Sequence, residues 1–160
     1  MTESQPITMD HTYKFTLDMP TFPGLSTEEV CEIFHDGRQF AAFIERWLPK
    51  AFPELSHVKG CKDHDHVNVS DETIKYDQKT FTKGGCKYMP SSMIGTGRQF
   101  DEAAFQEKAN KLIYIIVSNI DFPEIEVRFV RGADLLITHP KGTIPLKDRV
   151  KFFGYFRFAN

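Results

Sequence analysis

The chain has few of the features that would take it out of the ordinary globular class. Cysteine occurs three times in 160 residues, at Cys31, Cys61 and Cys86, with no CxxC pair. An odd, widely spaced set fits a reducing, cytoplasmic compartment better than a disulfide framework. No apolar run approaches the roughly eighteen residues that a membrane span requires. The opening MTESQPITMDHTY carries acids where a secretory leader needs an apolar stretch. The expectation is a chain with no membrane partner and no leader. Internal repeats and low-complexity tracts are also lacking, and the net charge is only −2.

What is present is apolar and aromatic. At 41% apolar and 13% aromatic content, with fifteen Phe, the sequence can bury one sizeable core but hardly two. One domain over residues 1–160 is expected, with 1–24 as an N-terminal arm or edge strand. Charge is unevenly shared along the chain. Residues 1–74 hold 6 basic and 13 acidic side chains, and residues 75–160 hold 14 and 9. That division can give a near-neutral molecule a basic face, and basic faces attract phosphates.

Local signals place the elements. HTYKFTLDM alternates like a strand and runs into the turn MPTFPG. Ser26 and Glu29 form a capping-box pattern that predicts a helix to about His35. After Asp36, the set Phe40, Ala41, Phe43, Ile44, Trp47 and Leu48 recurs at helical spacing and predicts a second helix. Strands are predicted near His66–Val69 and Thr73–Thr82, and a helix after Asp101. LIYIIVS reads as a strand buried on both faces, EIEVRFV as one with a wet face, and RGADLLITHP as a short helix. The final stretch IPLKDRVKFFGYFRF mixes turn with an element that pattern alone does not type. Together these predict an α/β fold with a mixed central sheet flanked by helices.

The stretch DHDHVNVSDETIKYDQKTF puts five carboxylates, two histidines and two lysines on what should be a β-hairpin. Strand alternation sends Lys75, Asp77 and Lys79 to one face and Tyr76 and Gln78 to the other. Folding the hairpin brings Asp65 towards Asp77. Two carboxylates converging without an arginine repel unless a cation sits between them. Hard oxygen donors in small number favour Mg²⁺, with Mn²⁺ as a substitute. The metal ligands would be Asp65 and Asp77, with Asp63 competing for the first place, on the edge of the sheet.

This arrangement, Asp65 or Asp63 followed by Asp77-Gln78-Lys79 on a strand, resembles the D…(D/E)xK motif of the PD-(D/E)XK nuclease superfamily, which includes many type II restriction endonucleases. The order of helices, acid-bearing hairpin, helix and further strands is similar as well. The resemblance spans about Glu28 to Val130, and its specific content is three residues. It implies a restriction-endonuclease-like core and Mg²⁺-dependent hydrolysis of double-stranded DNA. Asp65 and Asp77 would bind metal and Lys79 would position the attacking water. A helix acid, Glu29, Glu32 or Glu45, would join them. One departure is His64, which stands where the motif has proline.

The irregular loop FTKGGCKYMPSSMIGTGR offers DNA contacts of the same kind: Lys83, Lys87 and Arg98 for phosphates, Tyr88, Ser91 and Ser92 for sugar or base edges. Arg128 and Arg131 flank a later strand and are further candidates. A small restriction-type enzyme cutting both strands of a short site would act as a homodimer. A competing reading builds a structural zinc from His57, Cys61, His64, His66 and Cys86. Another takes the chain as a non-enzymatic nucleic-acid or protein-binding α/β module, with the acids merely solvated.

Overall fold

Six strands form one mixed sheet, in which a helical crossover sets one parallel pair among antiparallel neighbours. The computed structural model describes residues 3–60 and 63–154. After β1 (Thr12–Thr16) come α1 (Thr27–His35) and α2 (Gly37–Ala51). Ser26 and Glu29 close the predicted capping box on α1. Asp36 both ends α1 and caps α2, its carboxylate accepting from the N–H groups of Arg38 and Gln39. Strands β2 (Leu55–His57), β3 (His66–Asn68) and β4 (Lys75–Phe81) then form an antiparallel meander. The short β5 (Cys86–Lys87) and a 3₁₀ turn lead to α3 (Glu102–Asn110). That helix carries the chain back, so β6 (Leu112–Ser118) pairs parallel with β4, as a crossover connection requires. Strand β7 (Glu124–Arg131) returns antiparallel beside β6 and pairs with β1, giving the order β1-β7-β6-β4-β3-β2. Helix α4 (Gly132–Thr138), β8 (Thr143–Ile144) against β5, and α5 (Arg149–Phe153) complete the described chain.

Each sheet face carries its own apolar layer. On one face Tyr76, Ile115, Val127 and Phe129 meet Phe40, Ile44 and Leu48 of α2, with Cys31 and Phe34 of α1 behind them. On the other, Phe81, Tyr114, Ile116 and Val130 meet Phe105 of α3, Leu135 of α4, and Phe152 and Phe153 of α5. The predicted α/β class with flanking helices is thus the observed one, and β1, drawn from the alternating HTYKFTLDM, lies at one end of the sheet order.

Two expectations change. EIEVRFV has no wet face: Glu126 is buried and pairs with Arg149 at 3.1 Å, while Arg128 lies under the Phe152 ring at 4.5 Å. Helix α5, the element that pattern could not type, supplies that cover. Strand β4 is not at the sheet's edge either, because β6 and β3 flank it. Among the described residues no helix is long and apolar enough to cross a membrane.

Candidate functional site

Asp77 sits mid-strand on β4, on the face that carries Phe81 and Tyr114. Its cross-strand partner on β6 is Tyr114, and the next partner on β7 is Val130. Gln78 points the other way, its amide donating to the Ala41 carbonyl of α2 at 3.3 Å. Asp65 lies just before β3 and grips the strand on either side of Asp77. Its N–H donates to the Tyr76 carbonyl at 2.9 Å, and its Oδ2 accepts from the Gln78 N–H at 2.7 Å. The Asp65 carboxylate is thereby held beside that of Asp77, close enough for a hydrogen bond between the two that favours the protonated form. The Lys79 ammonium stands 3.3 Å from Asp77 Oδ2, with both side chains largely buried at 19% and 14% exposure. The sequence-predicted trio therefore meets in space.

The electrostatics of this trio are strained. Burial pushes the Asp77 carboxyl up from 3.8 to about 6. Lys79 pulls it back, the charge of Asp65 pushes it further, and Lys108 on α3 opposes the rise. One lysine does not compensate two adjoining carboxylates in a poorly hydrated place. The site consequently favours an added cation, and its donors are the hard oxygens that suit Mg²⁺ or Mn²⁺. With two carboxylates from the protein, most remaining coordination would fall to water and substrate. Among the described residues no group of three or more His, Cys, Asp or Glu side chains assembles into a metal-holding cluster.

The other predicted site residues divide. Asp63 is exposed, upstream of the gripped Asp65. Glu29 is spent on its own helix cap, accepting from Ser26 N–H at 3.0 Å. Glu45 lies 3.6 Å from His57. Both α1 and α2 pack on the Tyr76 face, opposite Asp77, so Glu29, Glu32 and Glu45 are not brought to the pair of acids. Among the DNA candidates, Lys83, Lys87, Ser91, Ser92 and Arg131 are exposed. Tyr88 is a correction: it is fully buried, and its hydroxyl donates to the His139 carbonyl. Arg98 ties its own loop, donating to Ser91 O at 2.5 Å and Ile94 O at 3.3 Å. Arg128 is likewise engaged, with Asp10 at 2.9 Å and with the Phe152 carbonyl.

The zinc set is divided between the two faces of the sheet. His57 and His66 are register partners of each other and of Tyr76, whereas Cys86 belongs to the Phe81 layer. Cys61 lies outside the described residues. His66 is fully buried, and neither ring nitrogen has a hydrogen-bond partner among the described residues. Burial pushes its pKa down to about 4, Gln78 beside it partly offsets that fall, and His57 deepens it. Cys86, near Lys79 and Asp77, has its thiol pushed up to about 12 by burial and is inert at neutral pH.

Sequence reading missed Tyr114 as the strand partner of Asp77, and Lys108 as a charge that pulls its carboxyl down. Lys108 had a signal, since it occupies the core-facing side of α3 between Phe105 and Ala109. A cavity of about 490 Å³ lies farther across the same face, lined by Thr12, Arg128, Leu135, His139 and Phe152, and contains none of the three trio residues. Comparison with known protein families, with characterised proteins and with solved structures finds no match to this chain.

Proposed function

We propose that this chain is a Mg²⁺-dependent endonuclease acting on double-stranded DNA, of the PD-(D/E)XK kind. The observation that carries the reading is Asp65 held beside Asp77 with Lys79 at 3.3 Å. The element order α2, β2, β3, β4, α3, β6 supports it, since it sets helices before an acid-bearing hairpin and a helix with a further strand after it. Asp65 and Asp77 would hold the divalent ion, which would supply Lewis-acid stabilisation of the developing phosphate charge. Asp65 is fixed by its bond to Gln78, so its carboxylate needs no reorganisation. Asp77, ionised when the cation is present, keeps Lys79 oriented. Lys79 then directs its ammonium at the attacking water or the phosphate oxygens. Exposed Lys83 and Lys87 on the segment leaving β4 are suited to backbone phosphates. A restriction-type role at a short site, a homodimer, and a cytoplasmic location belong to the same reading.

The test is cleavage of a supercoiled plasmid with Mg²⁺ or Mn²⁺, beside Asp77→Ala and Lys79→Ala. Nicked or linear product from wild type alone supports the reading. No product from any duplex with either ion would leave a non-enzymatic binding module as the reading to pursue.

A further inference from the structure

We propose that the cavity between α4 and α5 is a binding site for a small apolar carboxylic acid, with the Arg128 guanidinium taking the ligand's carboxylate in place of Asp10. The site is separate from the paired acids and does not depend on the nuclease reading. Its volume of about 490 Å³ lies within the range of pockets that hold small organic molecules. Its walls come from the start of β1, from Arg128 and Val130 on β7, from α4, and from the stretch 148–153. Val130, Leu135, Phe152 and Phe153 form the apolar part, and all four are buried. Such a lining suits a hydrocarbon or aromatic body.

Arg128 decides the charge that the ligand carries. Its side chain is only 21% exposed, its guanidinium lies over the Phe152 ring at 4.5 Å, and one terminal nitrogen donates to the Phe152 carbonyl. The other terminal nitrogen donates to Asp10 Oδ1 at 2.9 Å, and Nε, which is buried, has no hydrogen-bond partner among the described residues. A largely desolvated group with five N–H donors is thus matched to one oxygen of a carboxylate that is itself 45% exposed. A single-contact pair of that kind at the surface contributes little. A carboxylate carried into the cavity on an apolar body would meet the same guanidinium out of water, where charge-assisted bonds are stronger. Asp10 also makes its contact at some backbone cost, since its φ of 58° is left-handed, a conformation uncommon outside glycine. Exchange of Asp10 for a ligand carboxylate leaves the charge around Arg128 unchanged. The other acids on the walls do not alter the sign required: Asp148 is taken by His139 at 2.9 Å, and exposed Asp134 is balanced by exposed Lys151.

The probe is naphthylacetate, compared by isothermal titration calorimetry on the full chain with its neutral amide, naphthylacetamide, and with the cation naphthylmethylamine. Wild type should bind the acid about tenfold more tightly than the amide, the low end of what a hydrogen bond to a charged group contributes. Asp10→Asn should strengthen binding of the acid about 2- to 5-fold, because an exposed competing pair is removed, and should leave the amide unaffected. Arg128→Gln should erase the preference for the acid. Backbone amide shifts on adding naphthylacetate should fall on α4, α5 and residues 128–130. Equal binding of acid and amide, tighter binding of the amine, or shifts centred on β4 would overturn the inference, as would absence of binding by wild type and Asp10→Asn alike. If Arg128→Gln does not fold, judged by its urea midpoint, Asp10→Asn decides, and an unchanged affinity for the acid overturns the inference. None of these outcomes bears on cleavage at Asp65 and Asp77.

Discussion

Replacing Asp77 by Asn should stabilise the metal-free protein at neutral pH, although it removes a residue of the proposed site. Burial pushes this carboxyl from 3.8 to about 6, against the pull of Lys79 and with the push of Asp65. Between those values the folded state binds the proton that the unfolded state has released. The stability tied to this proton is complete below 3.8 and is lost as the pH rises through about 6. Roughly two decades of proton affinity at 1.36 kcal/mol each put the cost of the ionised carboxylate at about 3 kcal/mol. Asn mimics the protonated acid and escapes that cost. For a chain of this length, about 3 kcal/mol corresponds to about 6–12 °C in Tm.

His66 works in the opposite sense. Its folded pKa is lowered from 6.5 to about 4, so the stability it confers is present above 6.5 and is lost as the pH falls through 4. In wild type the two trends oppose each other over nearly the same window. Asp77→Asn should unmask the acid slope due to His66. The assay is thermal unfolding by circular dichroism in EDTA from pH 3.5 to 8. The wild-type and variant curves should meet near pH 4 and separate above 6. Equal or lower stability of Asp77→Asn at pH 8 would refute the reasoning, because Asp77 would then be fully compensated without a cation.

Other expectations follow from the same geometry. Mg²⁺ at a hundred times its dissociation constant should stabilise wild type by about 2.7 kcal/mol at pH 7.5, and this gain should vanish in Asp65→Asn and Asp77→Asn, as read by Tm with and without the ion. Tyr88→Phe removes the bond to His139 and should cost about 1–3 kcal/mol in urea unfolding while leaving DNA affinity unchanged; a loss of affinity at unchanged stability would restore the sequence expectation of a DNA contact. Gly132→Ala would set a Cβ 1.9 Å from the Ala109 carbonyl oxygen, a backbone atom that cannot step aside. It should cost more than about 3 kcal/mol and yield little folded protein, to be measured by urea midpoint or soluble yield.

The candidate trio was legible because strand alternation is a local rule. Knowing only that residues 75–81 are extended places Asp77 and Lys79 on one face and Gln78 on the other. Whether Asp65 reaches them depends on its bond to Gln78, thirteen residues on, which no periodicity encodes. The helix acids were not separable by pattern, because a carboxylate on α1 or α2 looks the same whichever sheet face its helix covers. Packing of Phe40, Ile44 and Leu48 against Tyr76 and Phe129 decided that, and put Glu29, Glu32 and Glu45 behind the sheet. Tyr88 was misjudged for a related reason. Its neighbours are glycine, serine and lysine, yet β5 folds the ring between Phe105 and Tyr114.

By itself, then, the sequence determined the elements that short-range physics controls. These are the capping box of α1, the apolar stripe of α2, the doubly buried run of β6 and the alternation that isolates Asp77 and Lys79. Tertiary structure alone decided which strand is central and which helix covers which face. Hydrogen bonding and alternation act between residues a few positions apart. Burial, and with it the rise of Asp77 to about 6, exists only once distant segments exclude water together.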